Sequence, residues 1–318
     1  MFRVGSIASG MGMHLHGLIA AGGVPVWAVE CDPEIAQVYR MNHHGRLYVK
    51  RVEDCDPQEL FDIDCLTVTL SCKNASIAQG SSWGETLDDV SAGIATAKII
   101  KAKLPKVVLL ENVWRYCQFQ SFQEIEKTLA ECGYYFRYYR LNTSDFGVAQ
   151  SRVRLYGVAV RGGAFWDITL PNVKTCGWYE AIADLIPTFP ETDLANWQKE
   201  KFPWLNKNST ALIKRVGGGR ESDRIYHASK PAFTIRTFGR NADYHSVSGT
   251  AIADRKIVAV TPRACLRFFG DKETADKIWL PSKKALAQEV VGNGASWTMF
   301  KFLIQHVGVF KMESNNAA

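Results

Sequence analysis

The sequence of 318 residues lacks any uninterrupted apolar stretch of about eighteen residues, the length that a membrane-spanning helix requires. Its first ten residues, MFRVGSIASG, also lack the positively charged and then apolar layout of a signal peptide. These two absences argue against the classes of integral membrane and secreted proteins. They predict a cytoplasmic protein that has no membrane partner.

Cysteine pairs with metal-binding spacing are also missing. The chain holds eight cysteines, yet none forms a C-x-x-C pair and no Cys/His cluster has the spacing of a zinc site. A disulfide framework is not expected in a chain of this length without a secretion signal. We therefore predict no metal ion, and we interpret the cysteines as free thiols, most of them small buried residues.

Basic charge is present, but it is unevenly distributed around a formal net charge of +6. Residues 161–318 contain 22 Lys and Arg against 15 Asp and Glu, a net of +7, which leaves −1 for residues 1–160. The segment 199–240 alone holds ten basic and three acidic residues. Basic density of this kind attracts a polyanion, although charge alone favours the simpler interpretation, a solvated basic surface.

Short apolar segments alternate with amphipathic ones over the first 160 residues, which predicts strands separated by helices. The predicted strands are Phe2–Ala8, Val26–Glu30, Cys65–Leu70, Lys106–Leu110, Tyr134–Leu141 and Arg154–Val160. The predicted helices are Met13–Ala21, Pro33–Asn42, Val90–Lys103 and Phe119–Cys132. Such βαβ units predict a doubly wound, mostly parallel α/β sheet with right-handed crossovers and helices on both faces.

The regular alternation is lost after residue 160. Residues 161–258 contain five prolines and a run of three glycines at 217–219, which predicts a smaller, loop-rich second domain. Helices return at Pro262–Phe269, Lys283–Val290 and Trp297–Val307. We therefore predict a first domain at 1–160, a small domain at 161–258, and C-terminal helices at 259–318 that return to the first domain.

Small residues follow the first predicted strand, in the order Ala8, Ser9, Gly10, Met11, Gly12, immediately before a helix. They allow a tight turn and the close approach of a ligand to the unpaired N–H groups of a helix N-terminus. Glu30 ends the second predicted strand, where nucleotide-type α/β folds bind a ribose diol. The simpler alternative is a plain turn with a surface glutamate. The position of Glu30, eighteen residues after Gly12, nevertheless favours a cofactor that contains adenosine.

Two further strand ends carry reactive side chains. Cys72 follows the strand Cys65–Leu70, in the loop position where doubly wound sheets build their active crevice, and Lys73 offers positive charge for a thiolate. Glu111 follows the strand Lys106–Leu110, where partial desolvation is expected to raise its pKa and allow it to carry a proton. The simpler alternatives are an inert cysteine and a solvated helix cap.

Two arginines precede the last strand predicted in the first domain, within Gln150-Ser151-Arg152-Val153-Arg154. Alternate residues of an extended chain point to the same side, so the two guanidinium groups are expected to lie side by side. That arrangement suits a phosphate or a carbonyl oxygen. A pair of structural salt bridges is the simpler alternative.

In this order, the motifs resemble those of the cytosine-C5 DNA methyltransferase family across almost the whole chain. The matching segments are Ala8–Gly12 with Gly17-Leu18, Val29–Asp32, Tyr39–His43, Ser71-Cys72, Glu111-Asn112-Val113, Gln150-x-Arg152-x-Arg154, Lys230-Pro231, Thr261–Cys265 and Gly292-Asn293. The resemblance implies a Rossmann-like fold. It also implies a catalytic and S-adenosylmethionine-binding domain at 1–160 and a target-recognition domain at 161–258.

The same resemblance implies a DNA (cytosine-5-)-methyltransferase that flips its target base out of the duplex. Cys72 would attack C6 of cytosine, while Glu111 would bind N3 and the exocyclic amine. Arg154 would bind O2 of the base, with Arg152 nearby. The expected partner of this monomer is double-stranded DNA. A bacterial or phage-encoded source is expected, and the role stays open between restriction–modification, phage protection and gene regulation.

The resemblance further implies a cofactor site that binds S-adenosylmethionine and releases S-adenosylhomocysteine. The ribose would lie at Glu30, the adenine at Asp54 and the methionine portion near Asn293. The residues expected to line the site are Ala8, Ser9, Gly10, Met11, Gly12, Glu30, Cys31, Asp54 and Asn293.

Two segments depart from the family pattern. The family's Asp-Leu-Phe-x-Gly reads Ser6-Ile7-Ala8-Ser9-Gly10 here, which removes an aromatic face that would pack on the adenine. Its Pro-Pro-Cys-Gln reads Leu70-Ser71-Cys72-Lys73. We expect Lys73 to lower the pKa of the thiol or to contact DNA phosphate; a bolder hypothesis pairs it with an acidic group on an altered cofactor or base.

The segment between Val160 and Lys230 is short, so we predict a target of about two to four base pairs, with phosphate contacts contributing much of the affinity. The candidates for DNA contact are Lys73, Ser76, Lys214, Arg215, Arg220, Arg224, Arg236 and Arg240. The motifs leave two alternatives open. One is an RNA, particularly tRNA, cytosine methyltransferase, and the other is a catalytically idle DNA-binding homologue.

Overall fold

A computed structural model describes residues 1–71, 84–165, 167–214, 225–237 and 249–310 of the chain. The chain divides into two compact units. The first comprises Met1–Leu141, Val153–Thr169 and Ala295–Ala318, and the second comprises Asn142–Arg152 and Leu170–Gly294. The division of the sequence into domains at 1–160, 161–258 and 259–318 stays a prediction.

Within the described part of the chain, seven strands form one sheet in the order β3-β2-β1-β4-β5-β7-β6. The strands are β1 Phe2–Ile7, β2 Gly23–Val29, β3 Arg46–Tyr48, β4 Cys65–Val68, β5 Val107–Asn112, β6 Tyr134–Asn142 and β7 Val153–Arg161. Strands β1 to β5 pair in parallel, whereas β7 is antiparallel to β5. The predicted mostly parallel α/β sheet is therefore confirmed. The three-residue β3 was not predicted, because it is too short to show an apolar pattern.

The helices are, in chain order, α1 Met13–Ala20, α2 Pro33–Asn42, α3 Leu87–Lys103, α4 Gln120–Glu131, α5 Trp178–Ile182, α6 Asn196–Lys201, α7 Pro262–Arg267, α8 Lys272–Lys277, α9 Lys284–Gly292 and α10 Trp297–Val307. Short 3-10 helices cover Val52–Asp54, Pro57–Glu59, Trp114–Gln118, Thr143–Phe146 and Ala183–Thr188. Side chains fix the starts of two long helices. Asp32 accepts hydrogen bonds from backbone N–H groups of α2. Thr86 and Asp89 form a capping box that starts α3 before the predicted Val90.

One face of the sheet carries an apolar core in the first unit. Leu66 and Val68 of β4, with Val108 and Leu110 of β5, point to this face and join side chains of α3 and α4 in one buried cluster. Burial of each such side chain contributes about 1.5–3 kcal/mol. The core therefore fixes the strands whose carboxyl ends carry the candidate site.

Helices α1 and α10 approach each other closely at Gly17. A Cβ atom at this position would lie 1.9 Å from the carbonyl oxygen of Trp297. Any larger residue would therefore push the two helices apart. This contact holds the C-terminal helix of the first unit against the helix that follows β1.

The second unit contains a four-stranded antiparallel sheet of described residues, in the order β11-β10-β8-β9. The strands are β8 Ala211–Ile213, β9 Ile225–His227, β10 Thr250–Ala253 and β11 Lys256–Ala259. Asp254 and Arg255 connect β10 to β11 with positive φ angles of 52° and 61°, as a tight hairpin turn requires. The sequence predicted only a loop-rich domain here, because strands of three or four residues show too little alternation to be recognised.

Candidate active site

The parallel strands bring three of the predicted sites to one edge of the sheet. β1 ends at Ile7 before the small-residue loop, and β4 ends at Val68 before the predicted nucleophile loop. β5 carries Glu111 and ends at Asn112. Loops at the carboxyl edge of an open α/β sheet form its ligand crevice. This edge is therefore the candidate active site of the first unit.

The predicted nucleophile Cys72 lies outside the described residues, as do Lys73 and Ser76. The described chain approaches them through Leu70, which is buried, and Ser71, which is exposed. The groups that hold Leu70 therefore fix the last part of the described chain before Cys72.

The loop after β1 has a left-handed backbone at three positions, with φ of 52° at Ala8, 56° at Gly10 and 78° at Gly12. Glycine adopts this region without strain. Ala8 is held there by a hydrogen bond of 2.9 Å that Thr69 Oγ1 donates to its carbonyl oxygen. A Cβ at Gly12 would lie 2.5 Å from the ring of His43, whereas a Cβ at Gly10 would meet nothing within 4 Å. The loop thus leaves open space for a ligand at Gly10.

Glu30 joins this loop to the start of α2. Its Oε2 accepts a hydrogen bond from the backbone N–H of Gly10 (2.8 Å), and its Oε1 accepts one from Asp32 (2.9 Å). Burial raises the pKa of the Glu30 carboxyl, although these two hydrogen bonds act in the opposite direction. Cys31 and Asp54 are exposed. A carboxylate, backbone N–H groups and an open glycine together fit the adenosine portion of S-adenosylmethionine.

A buried polar network lies beneath the loop. His14 Nε2 is within hydrogen-bond distance of Ser6 Oγ (3.1 Å) and Thr67 Oγ1 (3.0 Å). Ser9 Oγ donates to Ser6 Oγ (2.8 Å). Burial, helped by nearby His16, lowers the pKa of His14 to about 3, so the ring is neutral near pH 7. The network therefore connects β1, α1 and β4 without introducing a charge.

Glu111 and Arg154 form an ion pair across strands β5 and β7. Arg154 Nε lies 3.4 Å from Glu111 Oε1, and the two side chains are only 13% and 9% exposed. Arg154 Nη1 also donates to the carbonyl oxygen of Val153 (2.8 Å). A carboxyl group beside a guanidinium fork can bind a planar ring that has donors and acceptors along one edge.

Asn112, the residue after Glu111, connects β5 to the chain that leaves β4. Its Nδ2 donates to the carbonyl oxygen of Leu70 (3.1 Å), and its Oδ1 accepts from the backbone N–H of Val113 (2.8 Å). Asn112 is buried, so water competes little for these bonds. The amide therefore fixes the backbone two residues before Cys72.

Arg152 belongs to the second unit, and its side chain binds carbonyl oxygens of the same unit. Its guanidinium group donates to Ile235 (2.9 Å), Gly294 (3.0 Å) and Gly292 (3.3 Å), and the residue is only 3% exposed. These contacts tie together three segments that are distant in the sequence. Arg152 and Arg154 thus have different protein partners, and the expected place of Arg152 among the catalytic residues stays a prediction.

Two of the predicted DNA contacts lie within the described residues of the second unit. Lys214 Nζ lies 6.0 Å from the centroid of the Phe233 ring. Arg236 is half-buried, and its backbone lies so close to Gly292 that a Cβ there would be 2.6 Å away. Asn293 is exposed at the end of α9. Outside the described residues lie Arg215, Arg220, Arg224 and Arg240.

The order of these motifs along the chain corresponds to a known family. The model of the family described as C-5 cytosine-specific DNA methylase matches residues 2–307. The chain belongs to this family. The resemblance inferred from the motifs is therefore confirmed over nearly the whole length of the sequence.

Relatives of this C-5 cytosine-specific methylase include one whose name specifies tRNA. The chain is 23% identical over 312 residues to the type II methyltransferase M.HhaI of Haemophilus parahaemolyticus, covering 94% of this chain and 92% of that protein. It is 24% identical over 163 residues to the tRNA (cytosine(38)-C(5))-methyltransferase of Schizosaccharomyces pombe, covering 49% of each. The crystal structure of S. pombe Dnmt2 methyltransferase has the same fold, with a TM-score of 0.67 at 17% identity, covering 96% of this chain and 97% of that one.

The methylase family implies S-adenosylmethionine as the methyl donor, and the Gly10–Glu30–Asp32 arrangement fits that cofactor. Across the described ranges, no group of three or more His, Cys, Asp or Glu side chains could hold a metal ion. In the same part of the chain, no helix is both long and apolar enough to cross a bilayer.

The sequence did not predict the hydrogen bonds of three polar side chains at this edge of the sheet, namely those of His14, Thr69 and Asn112. Each is a polar side chain within or beside an apolar segment, and each forms a short hydrogen bond to another strand or loop. A polar residue at a position where the pattern requires an apolar one was the available signal. The identity of its partner depends on the order of strands in the sheet, which the pattern does not specify.

Proposed function

We propose that the protein is a DNA (cytosine-5-)-methyltransferase, which transfers a methyl group from S-adenosylmethionine to C5 of a flipped-out cytosine. The observation that carries this proposal is the buried Glu111–Arg154 pair. Glu111 lies on β5, and the next residue of that strand, Asn112, holds the chain that leads to Cys72. Membership of the family described as C-5 cytosine-specific DNA methylase supports both the cytosine-C5 reaction and DNA as the substrate.

In this mechanism the thiolate of Cys72 forms a bond to C6 of the cytosine. The electron pair displaced from the C5–C6 double bond makes C5 nucleophilic, so that C5 can accept the methyl group. Loss of the C5 proton and cleavage of the Cys72–C6 bond then release the product. Each bond that forms to the enzyme is broken again, so the enzyme is regenerated.

Glu111 and Arg154 would bind the edge of the cytosine. Protonated Glu111 would donate to N3, which withdraws charge from the ring as the thiolate attacks, while its second oxygen accepts from the exocyclic amine. Arg154 would donate to O2. Arg152 would act as a positioning residue, a role supported by its contacts with carbonyl oxygens of Ile235, Gly292 and Gly294.

Bound S-adenosylmethionine would supply the methyl group. Glu30 would hold the ribose hydroxyls, and the hydrogen bonds that it accepts from the backbone N–H groups of Gly10 and Asp32 would orient its carboxyl group for this contact. Asp54 would contact the adenine, and Asn293 would lie near the methionine portion. Lys73 and Ser76 would contact DNA, together with the basic residues of the target-recognition segment, and steep loss of affinity with added salt is expected.

Bisulfite sequencing of DNA from cells that express the protein is the direct test. We expect methylated cytosines within one short sequence of about two to four base pairs, and none in cells that express Cys72→Ser. Trapping on duplex DNA that contains 5-fluorocytosine should yield a covalent adduct only with Cys72 present, because fluorine cannot leave C5 as a proton does. No adduct and no methylation would favour a catalytically idle homologue.

A tRNA substrate is the second candidate, and the relative from Schizosaccharomyces pombe favours it. Methyl transfer to duplex DNA and to total tRNA should therefore be compared at equal protein and cofactor concentrations. Transfer to tRNA without transfer to DNA would replace the DNA substrate in the proposal while leaving the roles of Glu111 and Arg154 unchanged.

A further inference from the structure

A second basic surface adjoins the candidate active site, on the first unit and outside the target-recognition segment. Trp114 begins the 3-10 helix Trp114–Gln118, three residues after Glu111. Its indole ring lies 6.2 Å, centroid to centroid, from the ring of Tyr138 on the edge strand β6. The guanidinium carbon of Arg140 lies 6.0 Å from the Trp114 ring centroid. Trp114, Tyr138 and Arg140 therefore form one patch, which we call the Trp114 patch.

Strand β6 presents two arginines that differ in their surroundings. Arg137 Nε donates to Tyr135 Oη (2.6 Å) and lies 3.5 Å from a carboxylate oxygen of Asp167. Among the described residues, no carboxylate oxygen lies within 4.0 Å of the guanidinium nitrogens of Arg140. Both side chains are exposed. The charge of Arg137 is thus partly neutralised within the protein, whereas that of Arg140 is available to an external anion.

The aromatic ring prepares Arg140 for such an anion. A guanidinium group over an indole face is restricted in orientation without losing its N–H donors, because the ring contacts only its plane. A planar fork of donors held in this way matches the oxygens of a phosphate diester.

We propose that the Trp114 patch binds the phosphate backbone of the nucleic acid that flanks the target cytosine, with Arg140 as the contacting cation and Trp114 as its support. This inference rests on the proposed function in one respect, that the substrate is a nucleic acid. It adds a contact on the catalytic unit itself. Strand β6 therefore helps to position the substrate, in addition to closing the edge of the sheet.

The test compares Arg140→Gln with Arg137→Gln, which makes the same substitution three residues away on the same strand. Binding of a fluorescently labelled, mixed-sequence duplex DNA is measured across a range of salt concentrations. We expect Arg140→Gln to weaken binding about three- to tenfold and to reduce the slope of log affinity against log salt by about one. Arg137→Gln should leave both quantities near their wild-type values. Trp114→Leu should weaken binding but keep the slope, because the charge remains.

Equal effects of Arg140→Gln and Arg137→Gln on affinity and slope would overturn the inference. Thermal unfolding of each variant separates a binding defect from a folding defect. The outcome is independent of methyl transfer: DNA binding that depends on Arg140 in a protein that transfers no methyl group would support the patch and contradict the proposed function. If the protein methylates tRNA and not DNA, the salt dependence of tRNA binding is measured for both variants. A smaller slope for Arg140→Gln alone would then support the inference, and equal slopes would overturn it.

Discussion

Glu111 and Arg154 are joined by an ion pair of 3.4 Å between strands β5 and β7, and both side chains are largely withdrawn from water. Removing one partner of a buried pair leaves the other uncompensated. The pair therefore serves two purposes, since it links the neighbouring strands β5 and β7 and presents a carboxyl group in a fixed orientation. The two purposes can be separated by a substitution that keeps the shape of the side chain.

Glu111→Gln is predicted to slow methyl transfer by about two to four orders of magnitude, the usual contribution of a positioned acid or base. The amide keeps the size of the carboxyl group and can still accept from Arg154, but it cannot supply a proton to N3. The measurement is a single-turnover rate at saturating cofactor and DNA. Cofactor affinity, measured by calorimetry, should not change. A variant as fast as the wild type would contradict the acid role.

Asn112→Ala is predicted to reduce the methyl-transfer rate about tenfold, equivalent to ~1.4 kcal/mol, without changing cofactor affinity. The loss of the hydrogen bond to Leu70 releases the backbone just before Cys72, so the nucleophile spends less time in its reactive position. Asn112→Asp, which keeps the size but removes the donor, should behave similarly. Trapping by 5-fluorocytosine DNA should slow in parallel. Unchanged trapping with reduced overall rate would place the defect after the attack of Cys72.

Arg152 and Arg154 are predicted to differ in what a lysine substitution costs. Arg152→Lys should lower the free energy of unfolding by about 2–4 kcal/mol, because one ammonium group cannot replace a planar fork that serves three carbonyl oxygens. Arg154→Lys is the matched control and should mainly lower activity. Urea unfolding and methyl-transfer assays on both variants provide the comparison. A larger loss of stability in Arg154→Lys would reverse the assignment of roles.

Most of the main sheet could be predicted from the sequence because, apart from the three-residue β3, its strands are long enough to recognise and helices separate several of them. The antiparallel direction of β7 could not, since strand direction leaves no mark on an apolar pattern. Likewise, the sequence placed Arg152 and Arg154 side by side, as alternate residues of an extended chain would be. The structure gives them different partners, because Arg152 lies before β7 begins and binds carbonyls that the sequence could not associate with it.

Stability is predicted to fall below pH 6 because of two buried histidines, His14 and His43. Burial lowers the pKa of each to about 3, and neighbouring His16 contributes to both shifts. The ordinary histidine pKa is about 6.5, so between these values the unfolded chain binds protons that the native protein excludes. The contribution of each ring to stability is therefore complete above about pH 6.5 and is lost as the pH falls towards 3.

The expected slope is up to about 1.4 kcal/mol per pH unit for each histidine between pH 6 and pH 4. Urea unfolding of the wild type across this range measures it. His14→Gln should reduce the slope of the free energy of unfolding against pH by the equivalent of one proton. A lower stability of this variant at pH 7 would not affect the comparison, because the measurement is the dependence of stability on pH. The control is His227→Gln, at an exposed position. A His14→Gln variant that kept the wild-type slope would show that His14 titrates normally in the folded protein, and it would contradict a neutral ring beneath the loop after β1.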